Sequence, residues 1–205
     1  LNVTCLLTTE LRHLAREFAG AERTCLIPEL TPGAAYDLLQ ALAPAAVSND
    51  PALARKAVQA AGGVPLSIKL LAGYLSTEPA SAEAAAVDGL RKRLETAVQE
   101  LDIHDDVHTK LQQTIALSLT HLPAHILRAF YNLGAFVPSP ATFTHDAAVS
   151  VTQADVAIID DLIQRNLIEV VADAEGVLAL HPAIASVAQV RRDPKTVARH
   201  RAFYM

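Results

Sequence analysis

Lys56, Lys69, Lys92, Lys110 and Lys195 are the lysines of this chain, and none directly follows a glycine. A phosphate-cradling loop of the form Gly-x-x-x-x-Gly-Lys-Ser/Thr is therefore absent from the 205 residues. The patterns His-Glu-x-x-His and Gly-x-Ser-x-Gly are absent too, and neither Cys5 nor Cys25 has a histidine at close spacing. His104 and His108 stand four apart beside Asp105, which would suit one helix face, but two ligands without a third are more often solvated residues. What remains is the chemistry of binding. Hydroxyls stand at Thr8 and Thr9, guanidinium groups at Arg12 and Arg16, a Gly63-Val64-Pro65 turn, and an imidazole at His181 before Pro182. Each has a plain structural account as well. Threonine suits strand ends, surface arginines are solvated, glycine closes one helix while proline opens the next, and a lone histidine at a strand end hydrogen-bonds nearby backbone.

The elements that must position these residues follow from composition and period. Hydrophobic residues make up 51% and charged residues 19%, which excludes disorder. Aromatics are 4% and tryptophan is absent, so the core must come from Ala, Leu, Val and Ile, a mixture that favours close-packed helices. Leu1 to Thr9 reads as a short buried strand, Glu10 to Ala19 as a helix and Thr24 to Ile27 as a second strand, with Cys5 and Cys25 as small core residues. Helices are expected at 34–43, opened by Thr31-Pro32-Gly33 and stopped near Pro44, then at 51–61, 65–75 and 83–101. The polar stretch from Leu101 to Val107 marks a domain boundary. Beyond it the pattern predicts helices at 107–121, 124–134, 144–149 and 153–165. A hairpin of Leu167 to Ala172 and Val177 to Leu180 turns through Asp173-Ala174-Glu175-Gly176, and helices follow at 182–190 and from Lys195. Three or four helices with one hairpin is the winged-helix arrangement.

The fold class is thus mainly α. Residues 1–29 form a strand-helix-strand remnant, 30–102 a helical bundle, 103–192 a winged-helix domain with one β-hairpin, and 193–205 the start of a further helical region. The net charge of −5 removes the usual footprint of a nucleic-acid binder. The expected recognition helix, 153–165, carries Asp155, Asp160 and Asp161 against Arg165, so a DNA groove would repel it. No run reaches the roughly 18 apolar residues that span a bilayer, and the start carries no secretory signal pattern. Sparse cysteines fit a cytoplasmic setting. The opening on a strand, without Met, is read as a piece of something longer.

Leu6-Leu7-Thr8-Thr9, Gly62-Gly63-Val64-Pro65-Leu66 and Leu180-His181-Pro182 occur in this order, with Leu30-Thr31-Pro32-Gly33, Ser118 to Pro123 and Asp160 to Ile168 between them. Taken as a set they resemble the later part of the NB-ARC nucleotide-binding module. That module belongs to the STAND signalling ATPases, among them plant disease-resistance proteins, the apoptosome adaptor and many bacterial regulators. The resemblance covers almost the whole chain and implies a nucleotide-dependent switch whose P-loop subdomain lies upstream. It implies ADP or ATP as ligand in the longer protein, with Mg held by that upstream subdomain, and neither catalysis nor tight nucleotide binding by this segment alone.

By the same resemblance Thr8 and Thr9 end the sensor strand beside the phosphates, Pro65 following Gly63 packs its flat ring on adenine, and His181 donates to the β-phosphate of ADP and latches the inactive form. The family's Arg after Thr-Thr is replaced by Glu10, which repels phosphate by about 1 kcal/mol in water, so Arg12 or Arg16 must reach instead if the triphosphate is sensed. The partners implied are the upstream subdomain, a downstream repeat or sensor domain, and further copies on activation; nucleic acid and membrane are not among them. A winged-helix transcription regulator and a helical interaction scaffold are the alternative readings.

Overall fold

The structure is a computed structural model of the chain. It describes residues 4–9, 11–76, 83–101, 107–120, 122–171 and 176–205, with backbone alone at 83–88, 90, 107 and 108. Glu10, the 102–106 boundary with His104, the side chain of His108, His121 and the turn residues 173–175 lie outside the described residues.

Proline followed by helix is the recurring local rule. Thr31 accepts the Ala34 N–H ahead of α2 (Pro32–Leu42), and Asp50 accepts the Leu53 N–H ahead of α4 (Pro51–Ala61). Asp193 accepts the Lys195 N–H ahead of α12 (Pro194–Tyr204). In each case an oxygen satisfies an otherwise orphaned donor, and proline at the first position presets φ where no N–H is needed. The same logic explains a departure from expectation: Pro44 does not merely stop α2, it opens a short helix, α3 (Pro44–Asn49).

Between these lie α5 (Pro65–Ser76), α6 (Glu83–Leu101) and α7 (Val107–Thr120). Next come α8 (Ala124–Asn132), β1 (Thr142–Thr144), α9 (His145–Thr152), α10 (Val156–Gln164), β2 (Glu169–Val170), β3 (Val177–Ala179) and α11 (Pro182–Val190).

The expected strands at the start are not formed. Residues 4–9 and 24–27 carry no strand, Cys5 and Cys25 are exposed, and no described residue of 4–29 is buried. A strand persists only where a neighbour takes its N–H and C=O groups, and no ladder partner is present among the described residues. Of the three expected elements only the helix appears, as α1 (Arg12–Ala19), with Leu11, Leu14 and Phe18 exposed.

The sheet is larger than one hairpin. β3 pairs antiparallel with β2, Glu169 opposite Ala179, and on its other side with β1, Phe143 opposite Leu178. β1 was hidden in the bend after Pro138 and Pro140, and Phe143 is its one buried residue, stacked on Phe136 at 4.2 Å. α10 begins three residues later than the pattern suggested because Gln153 adopts a left-handed conformation, φ 56°.

Two hydrophobic cores result. One gathers Leu39, Val58, Leu71, Leu75, Leu94 and Leu101 from α2 to α6; the other gathers Phe130, Leu133, Ile159, Leu162, Leu178 and Ile184. α5 and α7 serve both. Ile68, Leu71 and Leu75 of α5 enter the first core while Leu66 and Leu70 enter the second, and α7 sends Leu117 one way and Ile115 the other. A helix that is apolar all round is one that is covered all round, and each large side chain so buried contributes about 1.5–3 kcal/mol.

Candidate functional site

Gly62, at φ 77°, ends α4, and Gly63 then meets the chain entering from residues 4–29. The Leu30 N–H donates to the Gly63 carbonyl at 2.8 Å. A Cβ on Gly63 would lie 2.5 Å from the Leu30 oxygen and 2.8 Å from the Glu29 Cβ, so the close approach of two backbones is what requires glycine here. Two residues on, Pro65 opens α5 with its ring exposed.

One turn further along that helix stands Lys69, the only charged residue of α5. Positions four apart share a helix face, so Pro65 and Lys69 lie on the same side. Lys69 Nζ is 3.8 Å from Glu169 Oε1 of β2, and the two side chains are 44% and 34% exposed. Two further contacts bring the segment before β2 against α5 at this level. Asn166, in a left-handed conformation at φ 58°, donates through Nδ2 to the Lys69 carbonyl at 2.9 Å. The Arg165 carbonyl presses on Gly73, where a Cβ would be 2.3 Å from the oxygen.

His181 follows β3. It caps α11, its Nδ1 accepting the Ala183 N–H at 3.2 Å, with Pro182 at the first helical position. An accepting Nδ1 requires the neutral ring with its hydrogen on Nε2, which makes Nε2 a donor. Burial holds the half-buried ring below its ordinary value of 6.5; the Glu169 carboxylate pulls upward against this, and the Lys69 ammonium pushes further down. Cap and titration therefore agree on a neutral imidazole.

Of the residues singled out in the sequence, Gly63 and Pro65 lie at the start of α5 with Lys69 one turn on, and His181 feels the charges of Lys69 and its partner Glu169. Thr8, Thr9 and Arg12 are not brought to them. They are exposed in the 4–29 segment, where Thr9 Oγ1 accepts the Leu11 N–H at 3.1 Å and Arg12 opens α1. Lys69, Gly73 and Glu169 are not among the expected site residues, and Asn166 belongs only to the Asp160 to Ile168 stretch. A lone charge and a lone glycine inside an otherwise apolar helix were the signals that marked two of them.

A groove of about 870 Å³ lies elsewhere, between α7, α8 and α11, lined by Ile115, Leu119, Leu127, Tyr131 and Val187. The Arg191 guanidinium sits 5.8 Å from the centre of the Tyr131 ring at its rim. None of the sequence-expected residues lines it. Among the described residues there is no group of three or more His, Cys, Asp or Glu placed to hold a metal, and no helix is long and apolar enough to cross a membrane. No known family model matches the chain, and no curated protein matches it significantly.

Proposed function

We propose that this chain is the helical and winged-helix part of a STAND-type nucleotide-dependent signalling switch, which binds ADP or ATP together with a phosphate-cradling subdomain outside these 205 residues. The observation that carries the reading is the state of His181. Its Nδ1 is committed to the Ala183 N–H, so the neutral ring offers Nε2–H as a donor, within the electrostatic reach of Lys69, which lies one turn from the exposed Pro65. A flat apolar ring, an ammonium and a neutral N–H donor suit a purine base and its phosphates. In this reading Pro65 covers the base, His181 donates to the β-phosphate, and Gly63 keeps the entering chain close enough for the cleft to be shared. Mg would be held by the phosphate-cradling subdomain, where it neutralises phosphate charge.

The switch lies in whether the winged-helix part contacts the bound nucleotide, so the nucleotide biases a two-state element. The acidic helix α10 supports this use over DNA binding. Asp160 pairs with His145 at 3.1 Å and Asp161 with Arg165 at 2.9 Å, so its polar face is spent within the domain.

Nucleotide content tests the reading. The protein joined to its phosphate-binding subdomain should purify with ADP, and His181→Ala should lose most of it, while the 205-residue chain alone should show no tight binding by calorimetry. Unchanged ADP content in His181→Ala, or tight ADP binding by the isolated chain, overturns the proposal.

A further inference from the structure

Lys69 is a charge in a place that otherwise excludes charge. Nine of the twelve residues of α5 are buried, Lys69 is the helix's only ionisable group besides Tyr74, and its side chain keeps 44% of its surface open. Among the described residues its ion-pair partner is Glu169, and at 3.8 Å the contact exceeds hydrogen-bond length. A pair this open and this long is weak and readily exchanged. The segment before β2 also has contacts with α5 that do not use the pair: the Asn166 side-chain bond to the Lys69 carbonyl and the close approach of the Arg165 carbonyl to Gly73.

From this geometry we infer that Lys69 is a phosphate-reading cation, kept by Glu169 until a phosphate of the bound nucleotide displaces that carboxylate. The inference rests on the nucleotide-switch reading and adds a residue and an exchange to it. The ammonium lies on the same face of α5 as Pro65, one turn earlier, and its charge acts on His181. A cation in that position would meet phosphate oxygens lying between the base and the Nε2–H donor. A phosphate brings more negative charge and more acceptors than one carboxylate oxygen held beyond hydrogen-bond distance, so exchange is favourable. Loss of the Lys69 pairing frees the Glu169 carboxylate on β2, while the Asn166 and Arg165 contacts stay in place.

The exchange predicts opposite signs for its two members. In calorimetric titration of ADP into the protein joined to its phosphate-binding subdomain, Lys69→Met should weaken binding by about tenfold or more, as expected for loss of a charge-assisted contact. Lys69→Arg should retain most of the affinity. Glu169→Gln, which removes the competitor, should tighten binding severalfold. Equal affinity in Lys69→Met and wild type, with His181→Ala still weakened, overturns the role of Lys69 and leaves the switch reading standing. Weakening by Glu169→Gln also overturns it, because that is what a purely structural pair would give. A wild-type protein that takes up no ADP removes the switch reading itself, and this inference with it.

Discussion

The imidazole of His181 caps a helix with one nitrogen, which decides what the other can offer. Protonating Nδ1 would remove the acceptor that the Ala183 N–H uses and place a cation in a half-buried site near Lys69. The folded state therefore binds its proton less readily than the unfolded chain, whose histidine titrates near 6.5. Above that pH both states are neutral and the contribution to stability is fully present. As pH falls from 6.5 through the lower folded value, the unfolded chain gains the proton first and stability is lost. Urea midpoints measured from pH 8 to 5 should show this fall in the wild type. Asparagine caps helices without titrating, so His181→Asn should show a smaller fall; identical pH profiles would contradict the assignment. His181 and Pro65 were legible as candidates because motifs announce themselves locally. Lys69 was visible only as a lysine without a preceding glycine, since its partner Glu169 is a hundred positions away.

At the scale of elements, side-chain caps and prolines set most helix starts, whereas a buried polar knot fixes where the last helix goes. Asn132, 3% exposed, donates to the Thr152 carbonyl and accepts from the Asp193 N–H and from Thr196 Oγ1. Arg199 adds bonds to Thr196 Oγ1 at 2.7 Å and to the Val151 carbonyl at 2.9 Å. These bonds dock α12 on α9. Asn132→Ala leaves buried donors and acceptors without partners, each worth about 1–3 kcal/mol, so a loss of about 2–4 kcal/mol is expected in urea unfolding. Hydrogen exchange should speed up more in α12 than in α5, and uniform acceleration across both helices would argue against a local clamp. The sequence suggested a helix from Lys195; that it is pinned to Asn132 and Val151 could not be read from any local window.

For the whole molecule, α5 and α7 give each core part of its wall, while residues 4–29 give neither core anything. Arg12, Arg16 and Arg23 are exposed in that segment, and the chain first enters the packed body at Leu30. Brief trypsin treatment should cut at these arginines first and leave a product beginning near residue 24 that keeps its helical circular dichroism and its thermal midpoint. A product that loses its cooperative transition would show that the segment contributes to the fold.

What the sequence determined by itself is the helical class and most helix starts, because a cap residue, a following proline and a 3.6-residue apolar period act within a few residues of each other. Tertiary structure decided the rest. Strand propensity at 4–9 and 24–27 found no ladder partner among the described residues, while β1 formed because β3 lay beside it. Pairing energy between distant segments exists only once they meet, and so does the contact of Lys69 with Glu169 and the effect of both charges on His181.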